Sequence, residues 1–187
     1  MEMYMPTAMS TDSSKSHSDS LLVIIDMQQD FVTGSLGSKE AQLVVDRIAA
    51  KIQSHQGPLA YTLDTHQSDY LATNEGRHLP VEHCIKGEEG HHLVPALKPL
   101  LEHARCFEKP TFGSVELAGW IASQSNLDRV ELAGVCTDIC VVSNALLIKA
   151  FQPELTVLVD GACCAGTSIQ AHKAALETMR SCQIEVF

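Results

Sequence analysis

Cys140 lies in the segment VELAGVCTDICVVSNA, residues 130–145, where an apolar run meets a short polar turn and a second apolar run. The first run predicts a buried strand, because short Val-rich runs bounded by Gly suit a parallel sheet. In the turn that follows, Thr137 or Asp138 can cap the next helix. Cys140 would then lie in the first helical turn, where unpaired backbone N–H groups and the helix dipole favour a thiolate. The segment predicts a nucleophilic cysteine with a lowered pKa; a small buried cysteine is the ordinary alternative.

Two more residues that can do chemistry follow apolar segments. Asp26 ends the run LLVIID, and Lys109 lies two residues after the first Phe of FEKPTFGS. A thiol that attacks a carbonyl carbon needs a base, donors for the oxyanion and an acid for the leaving group. Asp26, with a pKa raised by desolvation, would be the base and later the acid, and Lys109 would balance its charge. The backbone N–H groups of Cys136 and Cys140 are candidates for the oxyanion hole. Taken one at a time, Asp26 could instead be an acid that caps a turn, and Lys109 could be an ordinary solvated lysine.

A polar loop rich in histidine follows the second predicted strand. Asp64 and His66 stand two residues apart in LDTH, and Glu75, His78 and His83 follow in NEGRHLPVEHC. This spacing of carboxylate and imidazole groups suits divalent metals that prefer oxygen and nitrogen ligands. The loop therefore predicts a metal site, and a set of ordinary surface acids and imidazoles is the alternative.

The elements that must position these residues alternate along the chain. Apolar runs predict strands at 21–25, 58–64, 105–109, 130–135, 155–159 and 184–187, and helical spacing predicts helices at 41–53, 93–103, 115–123, 140–150 and 168–180. Residues 31–39 and 65–89 are predicted loops. Such alternation predicts an α/β fold, a single-domain, doubly wound and mainly parallel sheet with helices on both faces. Strand-to-helix turns at the carboxyl end of such a sheet are where these folds bind ligands.

Composition limits the classes of function. A chain of 187 residues fits one domain, and 45% hydrophobic with 19% charged residues is globular. Its net charge of −10 argues against nucleic acid or an anionic membrane as partner. No apolar run approaches the ~20 residues of a membrane span. The seven cysteines form no CxxC pair, which argues against a disulfide framework. Residues 1–20 are predicted to be a disordered tail, residues 21–187 the domain, and the protein cytoplasmic.

Taken in order, three motifs resemble the isochorismatase-like cysteine hydrolases, in particular their nicotinamidase branch. They are Asp26 in IIDMQQDF, Lys109 in EKPTFGS and Cys140 in GVCTDIC, and the resemblance spans residues 21–187. It implies an Asp-Lys-Cys triad that hydrolyses nicotinamide or a related small carboxamide to the acid and ammonia. The reaction would pass through a thioester on Cys140. The resemblance also implies a cis peptide bond before Cys136.

The same resemblance implies one divalent metal ion, with zinc, iron and manganese all open. Its ligands would be Asp64, His66, Glu75 and His83. His78 is the alternative third ligand, because the segment between Glu75 and His83 is a residue longer than in such relatives. The ion would hold and orient the substrate.

The substrate side of the resemblance departs from the nicotinamidase pattern. Phe31 matches one of the two aromatic residues that sandwich the substrate ring, but Leu79, Pro80 and Val81 occupy the place of the other. The segment 110–114 also differs. The alternatives are an isochorismatase-type vinyl-ether hydrolase, which has no need of the metal loop, and a non-catalytic small-molecule-binding protein of the same fold. We expect a homo-oligomer that acts on a small molecule.

Overall fold

The structure is a computed structural model that describes residues 20–187. The predicted disordered tail therefore lies outside the described residues, except for Ser20. The strands are β1 (Ser20–Ile25), β2 (Leu59–Asp64), β3 (Arg105–Lys109), β4 (Arg129–Val135), β5 (Thr156–Ala165) and β6 (Glu185–Val186). The α-helices are α1 (Gln29–Val32), α2 (Lys39–Ser54), α3 (Asn74–His78), α4 (Val115–Ala122), α5 (Val142–Phe151) and α6 (Ile169–Ser181). Within residues 20–187, every helix is too short or too polar to cross a bilayer.

The six strands form one parallel sheet in the order β3-β2-β1-β4-β5-β6. Residues Leu21–Ile25 of β1 are fully buried, and alternate side chains enter two separate cores. One core packs against α4, α5 and α6, and the other packs against α2. Helices on both faces explain why β1 is apolar without alternation. The predicted doubly wound α/β fold is confirmed.

The carboxyl ends of the four neighbouring strands β3, β2, β1 and β4 bring the polar residues together. Asp26 follows β1, Asp64 ends β2, Lys109 ends β3, and the turn after β4 carries Cys140. Asp64 and Lys109 are paired in the register of β2 and β3. The chain reverses its direction of winding between β1 and β4, which is the position where open α/β sheets bind ligands.

Most predicted elements agree with the structure to within a few residues, but the predicted helix at 93–103 is wrong. That segment contains only a 3₁₀ turn at Lys98–Leu101. Its apolar spacing is helical, but Pro95 and Pro99 remove backbone donors and restrict the residues before them. The predicted loops also contain short helices: Phe31 lies in α1, and α3 lies inside the 65–89 segment.

Candidate active site

Asp26, Lys109 and Cys140 meet in the interior of the protein. The Lys109 Nζ atom lies 2.7 Å from Asp26 Oδ2 and 3.5 Å from Cys140 Sγ. The three side chains are almost completely buried, because at most 4% of each residue is exposed. The ammonium group of Lys109 therefore lies between a carboxylate and a thiol and contacts both, shielded from water.

Thr62 holds the Asp26 carboxyl group in this position. The backbone of Asp26 leaves β1 in the left-handed region, with φ 48°. The Thr62 hydroxyl donates to Asp26 Oδ1 at 2.6 Å and accepts from the Asp26 N–H at 3.2 Å. Thr62 belongs to β2 and lies 36 positions away in the sequence, so no local pattern indicates its role.

The turn after β4 brings Cys140 to the sheet edge. Gly134 has φ 133° and lies so close to β1 that a Cβ atom there would meet the Ile25 carbonyl oxygen at 2.1 Å. The next peptide bond, Val135–Cys136, is cis, as the resemblance implied. A single π-helical turn, Thr137–Val141, then leads into α5.

The predicted helix cap is wrong, because neither Thr137 nor Asp138 caps this turn. The Thr137 hydroxyl bonds the His172 Nδ1 atom at 2.8 Å. Asp138 instead accepts hydrogen bonds from the backbone and the hydroxyl group of Thr167, at 2.9 and 2.5 Å. Both side chains therefore tie the turn to the start of α6 rather than to its own backbone.

The predicted lowering of the Cys140 pKa is also wrong. Burial, together with the nearby Asp26 carboxylate, raises the pKa of the thiol well above its ordinary value, although Lys109 opposes this shift. The helix-start argument assumed a solvated thiol, whereas this one is 4% exposed. Cys140 therefore rests as a thiol and needs a base before it can attack.

Asp26 and Lys109, next to Cys140, have pKa values that would suit removal of the thiol proton. Burial raises the pKa of Asp26, with Lys109 acting in the opposite direction. Burial alone would lower the pKa of Lys109, but Asp26, Cys140 and Asp64 together raise it above its ordinary value. Lys109 therefore remains a cation, and the Asp26 carboxyl group holds a proton more strongly than an exposed aspartate does.

Four further side chains converge beside the triad. One ligand atom each from Asp64, His66, Glu75 and His83 lies within 4.8 Å of all the others. The His66 Nε2 atom is 3.1 Å from Asp64 Oδ2, and the Nε2 atoms of both histidines are 3.7 Å from Glu75 Oε1. Ligand atoms on a tetrahedral ion with bonds of about 2.1 Å are separated by about 3.4 Å. The donor types and their spacing therefore fit one divalent metal ion.

Side chains and backbone groups around this cluster orient its donors. The His83 Nδ1 atom donates to the Val81 carbonyl at 2.8 Å, which leaves Nε2 facing the cluster. The Gln28 carboxamide bonds both the N–H and the carbonyl of Asp64, each at 2.8 Å. Burial opposes ionisation of Asp64, but the adjoining imidazole groups of His66 and His83, together with the Lys109 ammonium group, hold its pKa below the ordinary range. Asp64 is therefore a fixed, ionised carboxylate.

The structure separates the two candidates for the third metal ligand. Glu75 lies in α3, whose start is capped by Thr73 through a 3.0 Å hydrogen bond from the Gly76 N–H, and its carboxylate enters the cluster. His78 is exposed at the other end of α3, and its Nδ1 atom bonds the Asn74 carbonyl at 2.8 Å. Only Glu75 is placed for metal binding.

Comparison with known proteins identifies the family. Residues 20–187 match the family model of the isochorismatase domain. The chain belongs to the isochorismatase family. No curated protein sequence gives a significant match to it.

Solved structures similar to this isochorismatase-family protein include several amidases. A nicotinamidase/pyrazinamidase from Bacillus subtilis is 25% identical, with a TM-score of 0.79 over 90% of this chain and 98% of that one. A pyrazinamidase from Pyrococcus horikoshii, solved in complex with zinc, is 24% identical, with a TM-score of 0.76 and coverage of 90% and 98%. An N-carbamoylsarcosine amidase from Thermoplasma acidophilum is 22% identical, with a TM-score of 0.73 and coverage of 90% and 95%. The fold is that of an isochorismatase-family hydrolase.

Phe31 lies at the edge of this isochorismatase-family site. It is 7% exposed, and its ring centroid is 5.5 Å from that of His83, in a tilted arrangement. Leu79, in the place of the second aromatic residue of the nicotinamidase pattern, is 37% exposed. The aromatic side chains of Phe31 and Tyr70 therefore both lie next to the candidate metal cluster.

Sequence reasoning missed several residues that support the site. They are Gln28, Thr62, Tyr70 and Asn144, all fully buried. Asn144 joins the Cys140 carbonyl to the β3–α4 connection through Phe112 and Ser114. Of these four residues, the sequence could have indicated only Gln28, which is a polar residue two positions after Asp26.

Proposed function

We propose that this protein is a metal-dependent cysteine amidohydrolase of nicotinamidase type, which converts nicotinamide or a related small carboxamide to the acid and ammonia. One observation carries the proposal: the Asp64 carboxylate belongs to both groups of residues. Its Oδ1 atom lies 3.2 Å from Lys109 Nζ, and its Oδ2 atom lies 3.1 Å from His66 Nε2 and 3.6 Å from His83 Nε2. The triad and the donor cluster therefore form one site, which a vinyl-ether hydrolase does not require.

The first half of the reaction forms a thioester and releases ammonia. Asp26 takes the thiol proton, and the Cys140 sulfur attacks the amide carbon. The N–H groups of Cys136 and Cys140 stabilise the oxyanion of the tetrahedral intermediate. Asp26 then returns the proton to the amide nitrogen, the C–N bond breaks, and ammonia leaves. Lys109 stays charged throughout and compensates the negative charge that moves between Asp26 and the sulfur.

The second half releases the acid. Asp26 removes a proton from a water molecule, which attacks the thioester carbonyl, and the same backbone N–H groups receive the second oxyanion. The C–S bond breaks, the carboxylic acid leaves, and the proton returns to Cys140. The raised pKa of Asp26 suits both roles, because the residue must accept and donate a proton in each cycle.

Asp64, His66, Glu75 and His83 would hold the metal ion, and zinc, iron and manganese all suit this ligand set. When bound, the ion supplies a Lewis-acidic centre that orients the substrate and a water molecule. The zinc complex of the Pyrococcus horikoshii pyrazinamidase supports this assignment. Phe31 would support one face of the substrate ring.

Ammonia release from a panel of small carboxamides tests the proposal. We expect purified protein loaded with Zn²⁺, Mn²⁺ or Fe²⁺ to release one ammonia per acid formed, with nicotinamide and pyrazinamide among the substrates. No release across the panel from metal-loaded protein would contradict the proposal. Cleavage of a vinyl ether, or binding of a carboxamide without turnover, would identify the alternative function.

Removing the Thr62 hydroxyl is expected to slow this reaction. Thr62→Val deletes a 2.6 Å hydrogen bond to the buried Asp26 carboxylate, and a bond to a charged group contributes about 1.5–3 kcal/mol. We expect kcat/KM for ammonia release to fall about tenfold to a hundredfold. Thr178→Val, which removes a hydroxyl bonded to a carbonyl on exposed α6, is the control. Equal rates for the two variants would show that Thr62 does not act on Asp26.

The metal content of two variants tests the choice of the third ligand. We expect Glu75→Ala to bind metal so much more weakly that it loses the ion during purification, and His78→Ala to keep it, because Glu75 lies in the cluster and His78 does not. Inductively coupled plasma mass spectrometry of both proteins, purified side by side, makes the comparison. Full occupancy in Glu75→Ala with loss in His78→Ala would reverse the assignment.

A further inference from the structure

Tyr70 is packed against both histidines of the candidate metal cluster. Its ring centroid lies 4.7 Å from that of His66 and 5.0 Å from that of His83, and the residue has no exposed surface. The two imidazole rings are themselves 4.8 Å apart, in an edge arrangement. An imidazole can aim its Nε2 lone pair at an ion only while its ring plane is held. The Tyr70 ring is in contact with both rings and restricts their rotation.

The polar atoms of Tyr70 also hold both ends of α3. At one end, its carbonyl oxygen accepts hydrogen bonds from the N–H and the hydroxyl of Thr73, at 2.9 and 2.7 Å. At the other end, its hydroxyl donates to the Leu79 carbonyl at 2.9 Å. A single residue therefore fixes the short helix that carries Glu75.

Gly76 allows α3 to approach this closely. A Cβ atom at Gly76 would meet the Tyr70 carbonyl oxygen at 2.1 Å and the Leu71 Cα atom at 2.8 Å. Direct backbone contact between Tyr70 and α3 brings the Glu75 Oε1 atom to 3.7 Å from each of the two Nε2 atoms. A five-residue helix has too few internal hydrogen bonds to keep this position alone.

We propose that Tyr70 is the positioning residue of the metal site, acting through its ring on His66 and His83 and through its hydroxyl on Glu75. This inference rests on the proposed function, because it assumes that the cluster binds a metal ion. It adds a residue that neither carries a ligand atom nor touches the thiol. The inference also assigns the effect on the two histidines to the Tyr70 ring and the effect on Glu75 to its hydroxyl, so that the two effects can be measured separately.

Zinc affinity, measured by competition with a chromophoric chelator, tests the inference. Tyr70→Phe removes only the hydroxyl and should weaken Zn²⁺ binding about tenfold, and Tyr70→Leu also removes the ring and should weaken it about a hundredfold. Tyr61→Phe is the matched control, because Tyr61 lies within β2 and packs against the core on the α2 side of the sheet. In a Glu75→Ala background, Tyr70→Phe should have no further effect, whereas Tyr70→Leu should still weaken binding.

The visible absorption of the Co²⁺-loaded protein separates positioning from general stability. At saturating Co²⁺, Tyr70→Phe should give a spectrum shifted toward that of Glu75→Ala, while a purely structural role would leave the spectrum of bound Co²⁺ unchanged. Wild-type affinity in Tyr70→Phe, or an equal loss with and without Glu75, overturns the inference alone. Failure of the wild-type protein to bind Zn²⁺ overturns the proposed metal site together with the inference. Tyr70→Phe keeps the ring and decides the question even where Tyr70→Leu does not fold.

Discussion

Replacing Cys140 with alanine is expected to lower kcat/KM for carboxamide hydrolysis by about four orders of magnitude or more. The thiol lies beside Lys109 and is influenced by the Asp26 carboxyl group, and the proposed thioester cannot form without it. Because the side chain is small, the variant should keep its far-ultraviolet circular dichroism spectrum. A continuous ammonia assay measures the loss.

Two further variants sharpen this prediction. Cys164→Ala is the matched control, because Cys164 is 5% exposed in the same apolar core but belongs to β5, which carries no member of the triad. It should retain full turnover. Asp26→Asn combined with Cys140→Ala should be little worse than Cys140→Ala, since residues that act as a unit give non-additive losses. Additive losses would show that Asp26 and Cys140 do not share one proton transfer.

Removing the metal is expected to abolish turnover while it leaves the thiol chemically available. His83→Ala and His66→Ala should each lose bound metal and carboxamide hydrolysis together, because both Nε2 atoms face Asp64 and Glu75. Chelation of the wild-type protein should have the same effect. Added Zn²⁺ should restore activity to the chelated wild-type protein but not to the two variants. Alkylation of Cys140 by iodoacetamide, followed by peptide mapping, should be largely unchanged, because Lys109 and Asp26 remain in place.

His103→Ala is the control for these histidine variants. His103 is exposed and lies in the turn before β3, so its loss should change neither metal content nor turnover. Full activity in metal-free wild-type protein would remove the loop from the mechanism and favour the vinyl-ether hydrolase. Loss of Cys140 alkylation on chelation would mean that the metal holds the triad together instead of the substrate.

The fold could be predicted because its strongest signals are local. The continuous apolar run Leu21–Ile25 of β1 indicates a sheet covered on both faces, and the alternation of elements indicates parallel strands. The same logic placed Asp26 and Lys109 at strand ends, and the structure brings both to Cys140. The helix predicted at 93–103 failed for an equally local reason, since two prolines outweigh an apolar repeat.

Properties that depend on tertiary burial could not be read from the sequence. The Cys140 pKa has the opposite direction from the prediction because the thiol is desolvated beside a carboxylate, which a helix-start pattern does not show. Thr62 and Gln28 each act across 36 positions in the chain, and Tyr70 combines contacts with residues on both sides of α3. Such roles follow from the packing of elements, not from the spacing of residues.

Mass spectrometry of the intact protein, acid-quenched during turnover of nicotinamide, tests the central claim most directly. The proposed mechanism predicts a nicotinoyl adduct on Cys140 that forms as ammonia is released, decays as the acid appears, and is absent from Cys140→Ala. Peptide mapping locates the adduct among the seven cysteines. Turnover that proceeds with no adduct at any time, or with an adduct on another cysteine, would contradict the assignment of Cys140 as the nucleophile.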